Sequence, residues 1–107
     1  MIIQYELRDN NLRVMVPKEL DHHSSIDFRS HIDLLLCTYH ITNLVFDFKD
    51  TEFMDSSGIG MMIGRCKNMD FTGGEVRAEH MNERIRKIFL LSGLHKMVKI
   101  EEGGEEE

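Results

Sequence analysis

Thr51-Glu52-Phe53-Met54-Asp55-Ser56-Ser57-Gly58-Ile59-Gly60 is the stretch on which the reading of this 107-residue chain turns. It follows Leu44-Val45-Phe46, a short continuous apolar run of the kind shown by a strand covered on both faces. It precedes Ile59, Met62, Ile63, Cys66 and Met69, whose three- and four-residue spacing traces one face of a helix. A buried strand that hands over to a helix here puts the stretch on the carboxyl edge of an open α/β sheet, where such folds place their sites. Asp55, Ser56 and Ser57 fall at the helix start, where side-chain oxygens accept the free N–H groups of the first turn. Gly58 and Gly60 are poor helix formers and need another reason to be there. Small residues let a second backbone or a phosphate come close, and a helix N-terminus attracts a phosphate through its N–H groups and dipole. Two readings stay open from spacing alone: the serines serve only as caps, or Ser56 or Ser57 accepts a phosphoryl group. Phosphorylation would add about −1.5 to −2 charges beside Asp55, enough to repel a partner without disturbing the fold.

Upstream, Ile3, Tyr5 and Leu7 alternate with polar residues, Asp9-Asn10-Asn11 is turn chemistry, and Leu12, Val14 and Val16 alternate again. This predicts a hairpin whose second strand ends at Pro17, which has no N–H for the ladder. Ser24 and Asp27 have capping-box spacing ahead of Phe28, Ile32, Leu35, Leu36 and Tyr39, the inner face of a first helix. Downstream, Phe71-Thr72-Gly73-Gly74 breaks the second helix and Val76 and Ala78 carry a short strand. Asn82 caps a third helix facing inward with Ile85, Ile88 and Phe89 and stopped by Ser92-Gly93, and Met97–Ile100 is a last strand. The order ββαβαβαβ predicts an α/β domain. Its sheet is mixed but mostly parallel, with one antiparallel edge from the hairpin. Residues 1–100 form a single domain and residues 101–107 an acidic, solvated tail.

Catalytic patterns fail on spacing. A nucleophile elbow needs G-x-S-x-G, but Met54 stands two residues before Ser56. Gly58, Gly60 and Gly64 are one residue too widely spaced for a dinucleotide fingerprint, and no P-loop Lys follows. The adjacent His22 and His23 read as a solvated loop pair rather than metal ligands, and the eight Met as core filling. No catalytic residue, metal or cofactor is expected.

Composition sets the outer bounds. The formal net charge is −6, but the block 65–100 is basic and the final EEGGEEE alone carries five acidic residues, so overall acidity says little about partners. Nothing in it favours nucleic acid. The opening MIIQYELRDN turns polar too early for a secretory signal, and no stretch approaches the ~20 apolar residues of a membrane span. Cys37 and Cys66 sit in apolar patterns and are expected to be buried, reduced thiols in a cytoplasmic protein.

FMDSSGIG after a strand, ELDHH at residues 19–23 and RIRKIFLLSGLHKMVKI at residues 84–100 together resemble the STAS-domain anti-sigma factor antagonists, over roughly residues 3–100. ELDHH resembles the sporulation branch more than the general-stress branch, which is the alternative. The resemblance implies a (βα) superhelix with helices largely on one face of the sheet. It implies a partner that is both an anti-sigma factor and a serine kinase with a GHKL-type ATP site. The unphosphorylated antagonist binds that kinase and frees the sporulation sigma factor F. Phosphorylation of Ser56 ends binding, and a PP2C-type phosphatase reverses it. The chain is then a substrate and not an enzyme. Carried over residue by residue, Asp55, Ser56, Ser57, Gly58, Ile59 and Gly60 match the phosphorylation loop. Glu19, Asp21, His22 and His23 match its neighbour, and Met81 and Asn82 border the same face. Members usually carry a further amphipathic helix after the last strand. The face it would cover is expected here to be bare or bound to another subunit.

Overall fold

The computed structural model describes residues 2–101. The alternation at the start becomes β1 (Tyr5–Arg8) and β2 (Asn11–Met15), an antiparallel pair with Leu7 opposite Leu12. Asp9 makes the tight turn between them at φ 56°, a region that Asp tolerates better than most residues. Then come β3 (Glu19–Leu20), α1 (His22–Thr38), β4 (Asn43–Asp47), β5 (Phe53–Met54), α2 (Ser56–Phe71), β6 (Glu75–Glu79) and α3 (Glu83–Ser92). A 3-10 turn at Leu94–Lys96 leads into β7 (Lys99–Glu101). The main sheet has the order β1-β2-β4-β6-β7, and every pair except β1–β2 is parallel. This is the mixed, mostly parallel α/β sheet that the residue pattern predicts.

One face of that sheet carries Leu12, Val14, Leu44, Phe46, Val76 and Ala78. They form a single buried cluster with Phe28 and Ile32 of α1, Met62 and Cys66 of α2, and Ile85 and Phe89 of α3. Phe28 lies against Phe46 with ring centroids 6.3 Å apart, and Phe89 meets Phe48 edge-on at 5.6 Å. The opposite face is polar: Glu6, Arg13, Val45, Arg77 and Lys99 stand side by side across the strands. The expectation that Leu44-Val45-Phe46 is covered by elements on both faces is therefore corrected. Val45 is buried between Arg13 and Arg77, whose aliphatic stems shelter it. Arg13 pairs with Asp47 at 3.0 Å and Glu79 at 2.6 Å, so the face is held by charges rather than by helices.

Several boundaries move. The capping box is Asp21 with Ser24, not Ser24 with Asp27. Asp21 accepts from the Ser24 N–H at 3.0 Å, and the Ser24 hydroxyl accepts from the Asp21 N–H at 3.0 Å. Helix α1 thus starts earlier than the apolar pattern alone indicates, and His22 and His23 sit in its first turn rather than in a loop. Tyr39 ends α1 as an exposed cap residue, and Cys37 is exposed whereas Cys66 is buried. Gly93, at φ 85°, terminates α3. Met97 precedes the last strand, which extends to Glu101. The rest of the acidic tail lies outside the described residues. No described helix is long and apolar enough to cross a membrane.

Candidate functional site

Strands β3 and β5 form a separate parallel ribbon of two residues each, Glu19 opposite Phe53 and Leu20 opposite Met54. The N–H groups of Glu52 and Phe53 donate to the Lys18 carbonyl, and that of Asp55 donates to the Leu20 carbonyl. The residues that follow each ribbon strand, Asp21 and Asp55, are the N-caps of α1 and α2. The ribbon therefore sets two helix N-termini side by side. The third is tied in by Asn82, the N-cap of α3. Its side-chain carbonyl accepts from the Ile85 N–H at 2.8 Å and its amide donates to the Thr51 carbonyl at 3.1 Å. Arg84 donates to the Glu52 carbonyl at 3.3 Å, and the buried Thr51 hydroxyl donates to the Val16 carbonyl at 3.2 Å. Glu19, Asp21, His22, His23, Asn82 and the 55–60 segment are thereby gathered at one edge of the molecule.

Within that edge the cap is Asp55 alone. One carboxylate oxygen accepts the Ser57 N–H at 2.8 Å and the Gly58 N–H at 3.3 Å. Ser56 occupies the first helical position, is exposed, and its hydroxyl caps nothing. Ser57 is half-buried, and its hydroxyl lies 3.3 Å from Nδ1 of His22 across the ribbon. Gly58 is buried because no side chain fits. An added Cβ would stand 2.7 Å from Met54 Cγ and 2.9 Å from the Leu20 carbonyl oxygen. Gly60 differs, since nothing lies within 4 Å of the corresponding position and the residue is exposed. Ile59 is half-buried against the core. Asp21 titrates below the usual carboxylate range, chiefly because the Ser24 N–H donates to it.

One residue expected at this surface is not there. Met81 is only 8% exposed and belongs to the core cluster, because the chain turns inward between β6 and α3 before Asn82 re-emerges. Conversely, Leu20, Thr51 and Glu52 carry the backbone contacts that assemble the site and escape a reading by pattern. A two-residue strand is too short to show a period, and main-chain carbonyls leave no mark in side-chain chemistry.

Two other features lie away from this edge. A cleft of about 490 Å³ sits between the carboxyl-terminal ends of α1 and α2 and is lined by Leu36, Tyr39, Ile41, Met69 and Phe71. It is about 24 Å from Ser56, the length of α2 at 1.5 Å per residue. On the polar face of the sheet Asp47, Glu79 and His80 converge, and Arg13 already bridges both carboxylates. Between the helices, Arg65 Nε lies 3.1 Å from Asp33 outside hydrogen-bonding geometry, and burial pulls the guanidinium pKa down.

The model of the STAS domain matches residues 3–106. The anti-sigma F factor antagonist of Paenibacillus polymyxa is 33% identical over 102 residues, covering 94% of this chain and 87% of that protein. The anti-sigma factor antagonist SpoIIAA in its unphosphorylated form superposes with a TM-score of 0.82 at 27% identity, covering 97% of this chain and 91% of that one. The Bacillus cell fate determinant SpoIIAA in its phosphorylated form gives 0.75 at 27% identity, covering 97% and 95%. Sheet order, the gathered helix N-termini and these likenesses agree: the chain belongs to the STAS-domain family, in the company of its anti-sigma factor antagonists.

Proposed function

We propose that this chain is a cytoplasmic anti-sigma factor antagonist switched by phosphorylation of Ser56. Unphosphorylated, it binds an anti-sigma factor that is also a GHKL-type serine kinase, through Glu19, Asp21, His22, His23, the Asp55–Gly60 segment and Asn82. That binding frees the sporulation sigma factor F. Support for the family role comes from the antagonist relatives. Support for the choice of serine comes from one observation: Ser56 is exposed with a hydroxyl that caps nothing, whereas Ser57 is half-buried beside His22. In the transfer, Ser56 Oγ bonds to the γ-phosphorus of kinase-bound ATP as the bond to the β,γ-bridging oxygen breaks. ADP leaves, and the hydroxyl proton passes to a base of the kinase. A PP2C-type phosphatase hydrolyses the new ester, returning the hydroxyl and inorganic phosphate.

The energetics fit a switch without rearrangement. Turning a mostly bound population into a mostly free one takes about 5.5 kcal/mol of differential affinity. An unpaired dianion desolvated at an interface costs several kcal/mol, and Asp55, already capping α2, adds like charge beside it. Incubation with the anti-sigma kinase and ATP is expected to add one phosphoryl group by mass. Ser56→Ala should abolish that gain and Ser57→Ala should keep it. Phosphorylation that persists in Ser56→Ala would overturn the site, and failure to bind the kinase at all would overturn the role.

A further inference from the structure

The ribbon register carries a consequence for the modified state. Leu20 pairs with Met54, the caps Asp21 and Asp55 follow, and the next residues along each chain are His22 and Ser56. Both stand at the first position of their helices, each two residues beyond a ribbon strand whose parallel pairing holds the two chains about 4.8 Å apart. The His22 ring already reaches across this gap, its Nδ1 lying 3.3 Å from the hydroxyl of Ser57, the residue after Ser56. We propose that His22 is the counter-charge of phosphoserine 56: its imidazole leaves the Ser57 hydroxyl and donates to the phosphate once that group is present. This rests on Ser56 being the modified residue.

The other candidates for the role are weaker. The N–H groups of Ser57 and Gly58 are taken by Asp55, so α2 offers the phosphate little of its own. Arg84 of α3 has its guanidinium engaged with the Glu52 carbonyl. Lys18 faces Glu52 at 4.0 Å. The charged and titratable residues next to His22 along the chain and across the ribbon are Glu19 and Asp21 before it, His23 after it and Asp55 at the end of the facing strand. The three carboxylates oppose a dianion that has no cation beside it. An imidazole with an ordinary pKa near 6.5 and a phosphate with a second pKa near 6 then titrate as a pair.

The test is a pH titration of the protein carrying genetically encoded phosphoserine at position 56, followed by ³¹P and imidazole NMR. No kinase is needed, so the outcome is independent of which kinase acts on the chain. The phosphate midpoint is expected to rise by about half a pH unit or more in His22→Asn, the effect of a unit charge some 5 Å away in a water-like dielectric. It should stay in place in His23→Asn. The His22 ring should titrate higher in the phosphorylated protein than in the unmodified one. An unchanged ³¹P midpoint in His22→Asn, or equal shifts in the two histidine variants, would overturn the assignment. Failure of the kinase to phosphorylate Ser56, with the His22-dependent shift of the ³¹P midpoint still observed, would count against the proposed function alone.

Discussion

Gly58 and Gly60 occupy the same turn of α2 and face opposite demands. At Gly58 the ribbon backbone and Met54 fill the space that a Cβ needs. Gly58→Ala is therefore expected to destabilise the fold by about 1–3 kcal/mol, the usual range for overpacking a filled site. A lower urea midpoint at unchanged m-value is the check, and an unchanged midpoint would show that the ribbon can shift. At Gly60 nothing stands in the way. Gly60→Ala is expected to gain up to about 1 kcal/mol from helix propensity alone. If this face docks the kinase, as proposed, the same substitution should weaken that binding in calorimetry while raising the urea midpoint. Stability and affinity moving in opposite directions at one residue would separate a glycine kept for a partner from one kept for the fold.

Among the elements, the helices are organised from their N-termini. Asp21, Asp55 and Asn82 each cap a helix and each borders the β3–β5 ribbon or the segment leading into it. Asn82 does two jobs, accepting from Ile85 and donating to the Thr51 carbonyl. Asn82→Ala should cost about 1 kcal/mol or somewhat more, since a cap and an additional tether go together. Asn82→Asp keeps an acceptor for the cap but has no N–H for Thr51, so it should restore α3 without restoring the tether. Hydrogen exchange at Ile85 and at residues 51–54 reads the two separately. Equal protection of both regions in the two variants would mean that the amide bond to Thr51 carries no weight.

For the molecule as a whole, the way the helices pack on one face of the sheet gives the two cysteines different fates. Cys66 lies in the core cluster, where burial pushes its thiol up to about 11, with Arg65 opposing. Cys37 is exposed near the far end of α1. In the native protein a thiol reagent at neutral pH should modify Cys37 within its ordinary time course and Cys66 only through unfolding. Two equally fast thiols would show the core to be open. Because the folded thiol is raised above its unfolded value, its contribution to stability is complete below the ordinary thiol range and is lost as pH climbs towards 11. The α/β order, the hairpin, the third helix with its Asn82 cap and the start of the second helix at residues 55–57 were all legible from periodicity and capping chemistry. The exposure of Cys37 and the burial of Met81 were not. Apolar character gives a residue's preference, while its position relative to the helix ends and the turn before α3 settles which way it faces.

The sequence by itself determined the hairpin, the three helices and the longer parallel strands, and placed Asp55, Ser56, Ser57 and Gly58 at a helix start, because these properties follow from side-chain period, capping and the shape of glycine. Only the tertiary structure decided how the two serines differ. Glu19-Leu20 is too short to announce itself as a strand, yet its pairing with Phe53-Met54 brings His22 to Ser57 across 35 residues of chain and leaves the Ser56 hydroxyl exposed. That choice is made by main-chain hydrogen bonds between distant segments, which depend on where the backbone runs and not on the residues it carries.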